Sequence, residues 1–263
     1  MTAKDYVRYL LSIESYSFSL DEIKEKTSGE GTSLKFELAR LIEKKEILNL
    51  RKGYYLIIPP RYSRQGQPPV QLYIDKLFRH LSRNYYLGFY SAARFHGAGH
   101  QQSQADYVMT EKPMLGDISK RALRIRFLTT SIWPENGILE KRSDAGIFLI
   151  SSPVLTMADL IQHQSKLGGI NRMLAILQEL SEVVTMEDLK GLLNWYPNKS
   201  TLQRLGFLLD LFDPGGSLTE PIINYLSSVR FFPVLLSPVP GKKAGTVSNR
   251  WKVDINVKLE SDL

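Results

Sequence analysis

The chain has 263 residues, 43% of them hydrophobic, which is enough for two domains with apolar cores. It holds no cysteine, so disulfides and thiolate metal sites are excluded, and a reducing compartment fits. No apolar run approaches the roughly 20 residues of a membrane helix, and Asp5 interrupts the place of a secretory leader; the expectation is a soluble cytoplasmic protein. The formal net charge of +7 is unevenly placed: residues 1–60 carry +1, residues 61–130 carry +7 and residues 131–263 carry −1.

In chain order, Ala3–Glu14 sets Tyr6, Val7, Leu10 and Leu11 on one helical stripe. Ser19 stands three residues before Glu22, the spacing of a capping box, and predicts a short helix Leu20–Lys26. The Ser28–Thr32 run breaks it. Thr32 or Ser33 is expected to cap a third helix with Leu34, Leu38, Leu41 and Ile42 inward. Then the period turns strand-like: Ile47–Leu50 and Tyr54–Ile58 flank Arg51-Lys52-Gly53, which predicts a three-residue hairpin. Three helices followed by a hairpin read as a winged helix-turn-helix.

That reading carries a chemistry. With the leucines inward, the third helix presents Ser33, Phe36, Glu37, Arg40 and Lys44, with Lys35 beside them. A helix fits the major groove, where arginine pairs with guanine edges and serine serves base or phosphate. Arg51, Lys52 and Tyr54 of the wing would meet phosphates or the minor groove. Three small helices and a hairpin also serve as a protein-docking module, and the residues alone leave that alternative open.

Pro59-Pro60 ends the second wing strand, and Arg61–Pro69 has a linker composition. The expected organisation is a DNA-binding domain over 1–60, a linker over 61–69 and a larger domain over 70–263, with α+β as the fold class. Past the linker, a helix is expected from Val70 to Leu81, then a short one capped by Ser91. Strands are expected at Asp106–Thr110, Leu123–Leu128 and Gly146–Ile150. Thr156 with Asp159, Thr185 before Met186–Leu193, and Ser200 with Gln203 predict further helix starts. A last strand is expected over Arg250–Leu259. The excess positive charge falls on Arg79, Arg83, Arg94, Lys120, Arg121, Arg124 and Arg126, among others. These are either a second polyanion surface or an ordinary solvated face.

Three segments resemble the AbiEi-type antitoxin family of abortive-infection, type IV toxin–antitoxin pairs. They are Gly53-Tyr54-Tyr55-Leu56-Ile57-Ile58-Pro59-Pro60, Tyr86-Leu87-Gly88-Phe89-Tyr90-Ser91-Ala92-Ala93 with His96-Gly97, and Arg204-Leu205-Gly206-Phe207-Leu208-Leu209. The resemblance implies repression of the protein's own operon through the winged helix. It also implies an antitoxin role against a nucleotidyltransferase-like toxin, without a stable complex, and no catalytic residues and no cofactor.

An enzymatic alternative rests on the last strand. Asp254, Asn256 and Lys258 would share one face of it, a spacing similar to restriction-endonuclease-like sites. An amide at the second position is a weak ligand for a hard cation, which favours a non-cleaving relative. His96 and His100 are four apart, but Gly97 and Gly99 argue against the helix a metal pair would need. No metal site is expected.

Overall fold

The computed structural model describes residues 1–27, 31–99 and 104–260. Its fold is mixed α+β, in two compact units. One comprises Met1–Tyr86, Gln104–Thr130 and Glu140–Leu149, the other Leu87–Ser103, Ser131–Leu139 and Ile150–Leu263.

The first unit begins with α1 (Ala3–Ser12), started by a capping box that the sequence reading missed: Thr2 Oγ1 accepts from the Asp5 amide, and the Asp5 carboxylate accepts from the Thr2 amide. β1 (Ser17–Ser19) follows, then α2 (Leu20–Lys26), whose capping box is the expected one: Ser19 Oγ accepts from the Glu22 amide at 3.1 Å and Glu22 returns the bond at 2.5 Å. α3 (Thr32–Glu43) is capped by neither Thr32 nor Ser33. Gly31 at φ +54° takes the cap position and Thr32 is already helical. The Ser28–Glu30 part of the expected break lies outside the described residues.

β2 (Ile47–Arg51) and β3 (Tyr54–Ile57) form the hairpin, and β1 adds to it antiparallel, in the order β1-β3-β2. The turn differs from expectation. A bulge between Asn49 and Arg51 lets Arg51 pair with Tyr54, leaving Lys52-Gly53 as a two-residue turn with Gly53 at φ +73°. Tyr6, Val7, Leu10, Phe18, Ile23, Leu34, Leu38, Leu41, Ile47 and Ile57 close one apolar core here. By transfer energetics each such buried side chain contributes about 1.5–3 kcal/mol.

The unit does not stop at 61–69. After 3-10 turns at Pro60–Tyr62 and Val70–Leu72, α4 (Ile74–His80) follows, a shorter helix than the one expected from Val70. Lys76 of α4 donates to the Ser17 carbonyl at 2.8 Å and pairs with Glu22 at 2.9 Å. The His80 ring stacks on Tyr54 at 4.7 Å between centroids. These contacts tie the first 60 residues to α4.

Next come β4 (Tyr85–Leu87), α5 (Phe89–Phe95), β5 (Asp106–Glu111), β6 (Ile118–Lys120), β7 (Leu123–Thr130), β8 (Ile138–Ser143) and β9 (Gly146–Ser151). The strands make a six-stranded sheet in the order β6-β7-β5-β4-β9-β8. β5 and β7 pair in parallel, β6 and β7 antiparallel. Along β7, Leu123, Ile125 and Phe127 are buried and Arg124 and Arg126 exposed, the alternation of a sheet covered on one face. Ser91 does not cap α5; Gly88 does, and Ser91 lies buried inside the helix.

The second unit is largely helical: α6 (Pro153–Gln162), α7 (Leu174–Ser181), α8 (Met186–Leu193), α9 (Lys199–Phe212) and α10 (Glu220–Ser227). Thr185 caps α8 by a capping box with Asp188, as expected at that start. Thr156 and Ser200 are not caps. Ser152 caps α6 and Asn198 caps α9, and Thr156 sits inside its helix with its hydroxyl 2.6 Å from Ser151 Oγ. The expected strand Arg250–Leu259 shrinks to β11 (Val253–Asp254), parallel to β10 (Val234–Leu235). Among the described residues, no helix is long and apolar enough to cross a membrane.

Candidate nucleic-acid interface

α3 separates its faces as its periodicity requires. Leu34, Leu38 and Leu41 are buried, while Ser33, Lys35, Phe36, Arg40 and Lys44 are exposed, Phe36 at 64%. Among the described residues, Lys35, Arg40 and Lys44 form no ion pair. An aromatic ring and three cations thus stand open to a partner. Glu37 departs from the expected outward set: its carboxylate accepts from the Ala3 amide at 2.6 Å and satisfies an orphan donor in the first turn of α1. That contact fixes α3 against α1 and ties down the Glu37 charge, while Glu43, also exposed, stays on the outward face beside Arg40 and Phe36.

The β2–β3 hairpin, the expected wing, divides differently from the sequence reading. Lys52 is exposed at the tip, and the tip is braced because the Leu20 amide donates to the Gly53 carbonyl at 2.7 Å. Arg51 turns back into the unit, its Nη2 donating to the Gly116 carbonyl at 2.8 Å and its guanidinium lying 5.1 Å from the Phe127 ring centroid. Burial, with Arg83 nearby, holds its pKa below the usual arginine value. The bulge at Asn49–Arg51 is the physical reason, since an extra residue re-aims the side chains beyond it. Tyr54 is fully buried, its hydroxyl 2.8 Å from Ser17 Oγ, and burial pushes the phenol well above its usual pKa. It is a core residue and offers nothing to a nucleic acid.

The second basic set is only partly a surface. Arg83 is spent on the carbonyls of Glu111 and Pro113, so with Arg51 it fastens the loop between β5 and β6. Arg79 pairs with Asp75 at 2.7 Å and Arg126 with Asp117 at 2.6 Å. Arg124 caps the carbonyls of Arg121 and Leu123. Arg121 donates to the Ile42 carbonyl, near the end of α3, at 3.0 Å. Lys120 is exposed, and Arg94 belongs to the other unit, against Phe95. Besides Arg51 and Arg83 at the β5–β6 loop, a further pair from the two sets meets: Lys44 and Arg121 line a common cleft, with Lys4, Arg8, Lys45 and Arg64. No sequence signal joined those residues, because they come from distant segments.

Summed over its segments, the first unit holds 22 Lys and Arg against 15 Asp and Glu, and the second holds 12 against 12. The entire net charge of the chain resides on the first unit. Such a field attracts polyanions and accelerates their encounter.

The three residues of the nuclease-like spacing are engaged separately. Asp254 accepts from the Gly245 amide, Asn256 exchanges two bonds with the Ser237 backbone, and Lys258 pairs with Glu260. With the strand ending at Asp254, they do not share the face expected of them. His96 Nε2 lies 2.7 Å from the Ser151 carbonyl oxygen, and His100 lies outside the described residues. Among the described residues there is no cluster of three or more His, Cys, Asp or Glu side chains placed to hold a metal ion.

The segment from Tyr86 onward has its own packing. Phe89 is fully buried at φ +56°, its ring edge-on to His163 at 5.5 Å. Tyr90 donates to the Leu167 carbonyl at 2.8 Å. In α9, Arg204 is buried and donates through Nε to the Leu235 carbonyl at 2.8 Å; burial pushes its pKa down to about 10. Gly206 lies against the Trp251 ring with no room for a Cβ. Residues 86–211, which hold all of these positions except Leu235 and Trp251, match the AbiEi antitoxin C-terminal domain. That segment of the chain is thus similar to an AbiEi-type antitoxin domain. Among solved structures, the RV2827C protein from Mycobacterium tuberculosis shares the fold of this chain. It aligns with a TM-score of 0.65 over 95% of this chain and 90% of that one, at 16% identity. No curated protein matches the sequence.

Proposed function

We propose that this chain is an AbiEi-type antitoxin and a cytoplasmic DNA-binding repressor of its own operon. In this reading, residues 1–60 are a winged helix-turn-helix. α3 enters the major groove of operator DNA with Ser33, Lys35, Phe36, Arg40 and Lys44, while Lys52 at the wing tip meets phosphate. The observation that carries it is the outward face of α3, where three exposed cations form no ion pair among the described residues and outnumber the one exposed carboxylate, Glu43, on a unit that holds all the net charge. Arg51 and Tyr54 drop out of the contact set because the fold uses them internally. The antitoxin function itself opposes a nucleotidyltransferase-like toxin without a stable complex, and the chain performs no catalysis.

The test is a salt titration of the purified protein against duplex DNA from upstream of its own gene, beside a scrambled duplex. Specific binding that Arg40→Ala weakens is the expected result. Equal affinity of parent and variant for both duplexes would remove α3 as the reader. Co-expression with the neighbouring toxin gene tests the second half: rescue of growth is expected, together with failure of the two proteins to co-elute.

A further inference from the structure

The cleft that joins Lys44 to Arg121 has a composition the DNA-reading surface does not need. It is a half-open cleft of about 920 Å³, and six cations line it: Lys4 and Arg8 from α1, Lys44 and Lys45 from the turn after α3, Arg64 from the segment after β3, and Arg121 from the turn between β6 and β7. Glu46 is the single carboxylate in the lining. All six cations are exposed, and among the described residues none of them forms an ion pair within 4 Å. Aliphatic side chains, including Leu11 and Ile58, supply an apolar floor.

Two of the cations sit on backbone that disfavours them. Lys45 has φ +61° and Arg121 has φ +50°. Lys45 occupies the left-handed position of a helix-ending motif, in which its amide donates to the Ile42 carbonyl and the Glu46 amide to the Leu41 carbonyl. Glycine is the residue such a position favours, and a side chain there strains the backbone. Strained backbone concentrates where a side chain is needed for binding.

We propose that this cleft binds a small polyphosphate, a nucleoside triphosphate in particular. The volume falls in the range of small-ligand pockets. A triphosphate carries about four negative charges near neutral pH, with a terminal phosphate near −2 and each inner one near −1. Six cations and one carboxylate match that charge, and the aliphatic floor takes the nucleoside. A duplex, as a wide rod, meets the outward face of α3, whereas a half-open cleft of this volume suits a small ligand. The ligand is thus distinct from the operator, although Lys44 borders both surfaces; the substitutions below leave Lys44 in place, so this inference stands whether or not α3 reads DNA.

The experiment is titration of the full chain with fluorescent ATP at low salt, with inorganic tripolyphosphate and a ten-nucleotide single strand as competitors. Saturable binding that falls with added salt is expected, with tripolyphosphate the weaker competitor. Arg8→Ala with Arg64→Ala, two exposed changes, lowers affinity about ten-fold. Lys45→Gly lowers affinity while raising the unfolding temperature, because it removes the charge and the backbone strain together; a merely structural lysine would not move both. Absence of saturable binding overturns the proposal, as does binding that survives all three substitutions. Tripolyphosphate equal to ATP removes the nucleoside from it, and a single strand that binds more tightly than ATP makes the cleft a nucleic-acid track instead.

Discussion

Gly206→Ala separates two opposite expectations. Gly206 lies inside α9, where alanine is worth about 1 kcal/mol more than glycine by helix propensity, so the helix alone predicts stabilisation. The surroundings predict the reverse. A Cβ at Gly206 would fall on the six-membered part of the Trp251 ring, well inside van der Waals contact. The ring cannot withdraw cheaply. Trp251 is 1% exposed, its Nε1 donates to Asp210 at 2.7 Å, and its carbonyl accepts from Gln203 at 2.8 Å. Asp210 is itself held by Arg250 at 2.7 Å and Thr219 at 2.8 Å. Overpacking of a fixed core costs about 1–3 kcal/mol or more, and the rigidity of this ring places the clash at the upper end. After the propensity gain, the net loss is about 2 kcal/mol. For a chain of this size that lowers the melting temperature by about 4–8 °C. Urea unfolding followed by circular dichroism reads it directly, and Trp251→Leu in the Gly206→Ala background should recover part of the loss through the coupling of neighbours. A Gly206→Ala protein as stable as the parent would refute the reasoning, since propensity would then outweigh the contact.

Arg40→Ala should cost roughly 1–3 kcal/mol of operator affinity and relax sequence preference, whereas Lys52→Ala should weaken all duplexes alike and lower the salt slope by about one; both are read in the same salt titration. Tyr54→Phe should leave DNA affinity unchanged and cost about 1 kcal/mol of stability, because it removes the buried bond to Ser17 and touches no outward surface; lost DNA binding by a folded Tyr54→Phe protein would return Tyr54 to the interface. His163 should give stability a pH slope. Burial, with Lys166 adding to it, pushes its pKa down to about 4, so the unfolded chain takes up the proton first. The contribution is complete above about pH 6.5 and is lost as pH falls toward 4, by at most about 3 kcal/mol. Urea unfolding at pH 7 and pH 5 should show the slope, and His163→Leu should flatten it.

What the sequence made legible was local. Ser19 and Thr185 could be read as caps because a hydroxyl and a carboxylate three residues apart satisfy each other without outside help. The leucines of α3 were readable because burial follows a helical period. Thr156 and Ser200 failed by the same rule: each has an acceptor three residues on, but Ser152 and Asn198 start their helices earlier, and spacing cannot rank competing caps. β1 was invisible because three residues carry no period; it exists by pairing with β3. At the candidate interface, the residue types were readable but not their aim. Arg51 and Lys52 look alike in sequence, and one bulge sends the first toward Phe127 and leaves the second in solvent. The six cations of the cleft come from positions between 4 and 121, so only the fold could assemble them.

The charge distribution bears on how one chain could serve two activities. The sequence placed the excess at residues 61–130, beyond the proposed winged helix, which would suggest a basic second domain. The compact units redraw that boundary, because the first 60 residues share a unit with α4, β5, β6 and β7. Arg79 and Arg126 are neutralised by carboxylates, and Arg51 and Arg83 are tied to backbone carbonyls. The cations left without ion pairs among the described residues of that unit include Arg40, Lys44 and Lys52 toward the proposed DNA surface, and Lys4, Arg8, Lys45 and Arg64 in the cleft. Most of the basic stretch at 61–130 therefore holds the fold together. The free positive charge lies largely on residues the stretch does not contain. A division at residue 60 would also sever Lys76 from Glu22, Arg51 from Gly116 and Arg121 from Ile42. The proposed DNA reader draws its rigidity from segments later in the chain, and the AbiEi match from Tyr86 onward includes two of those segments. Repression and antitoxin action would then share structure, with the braced wing and the fixed loop between β5 and β6 as the parts in common.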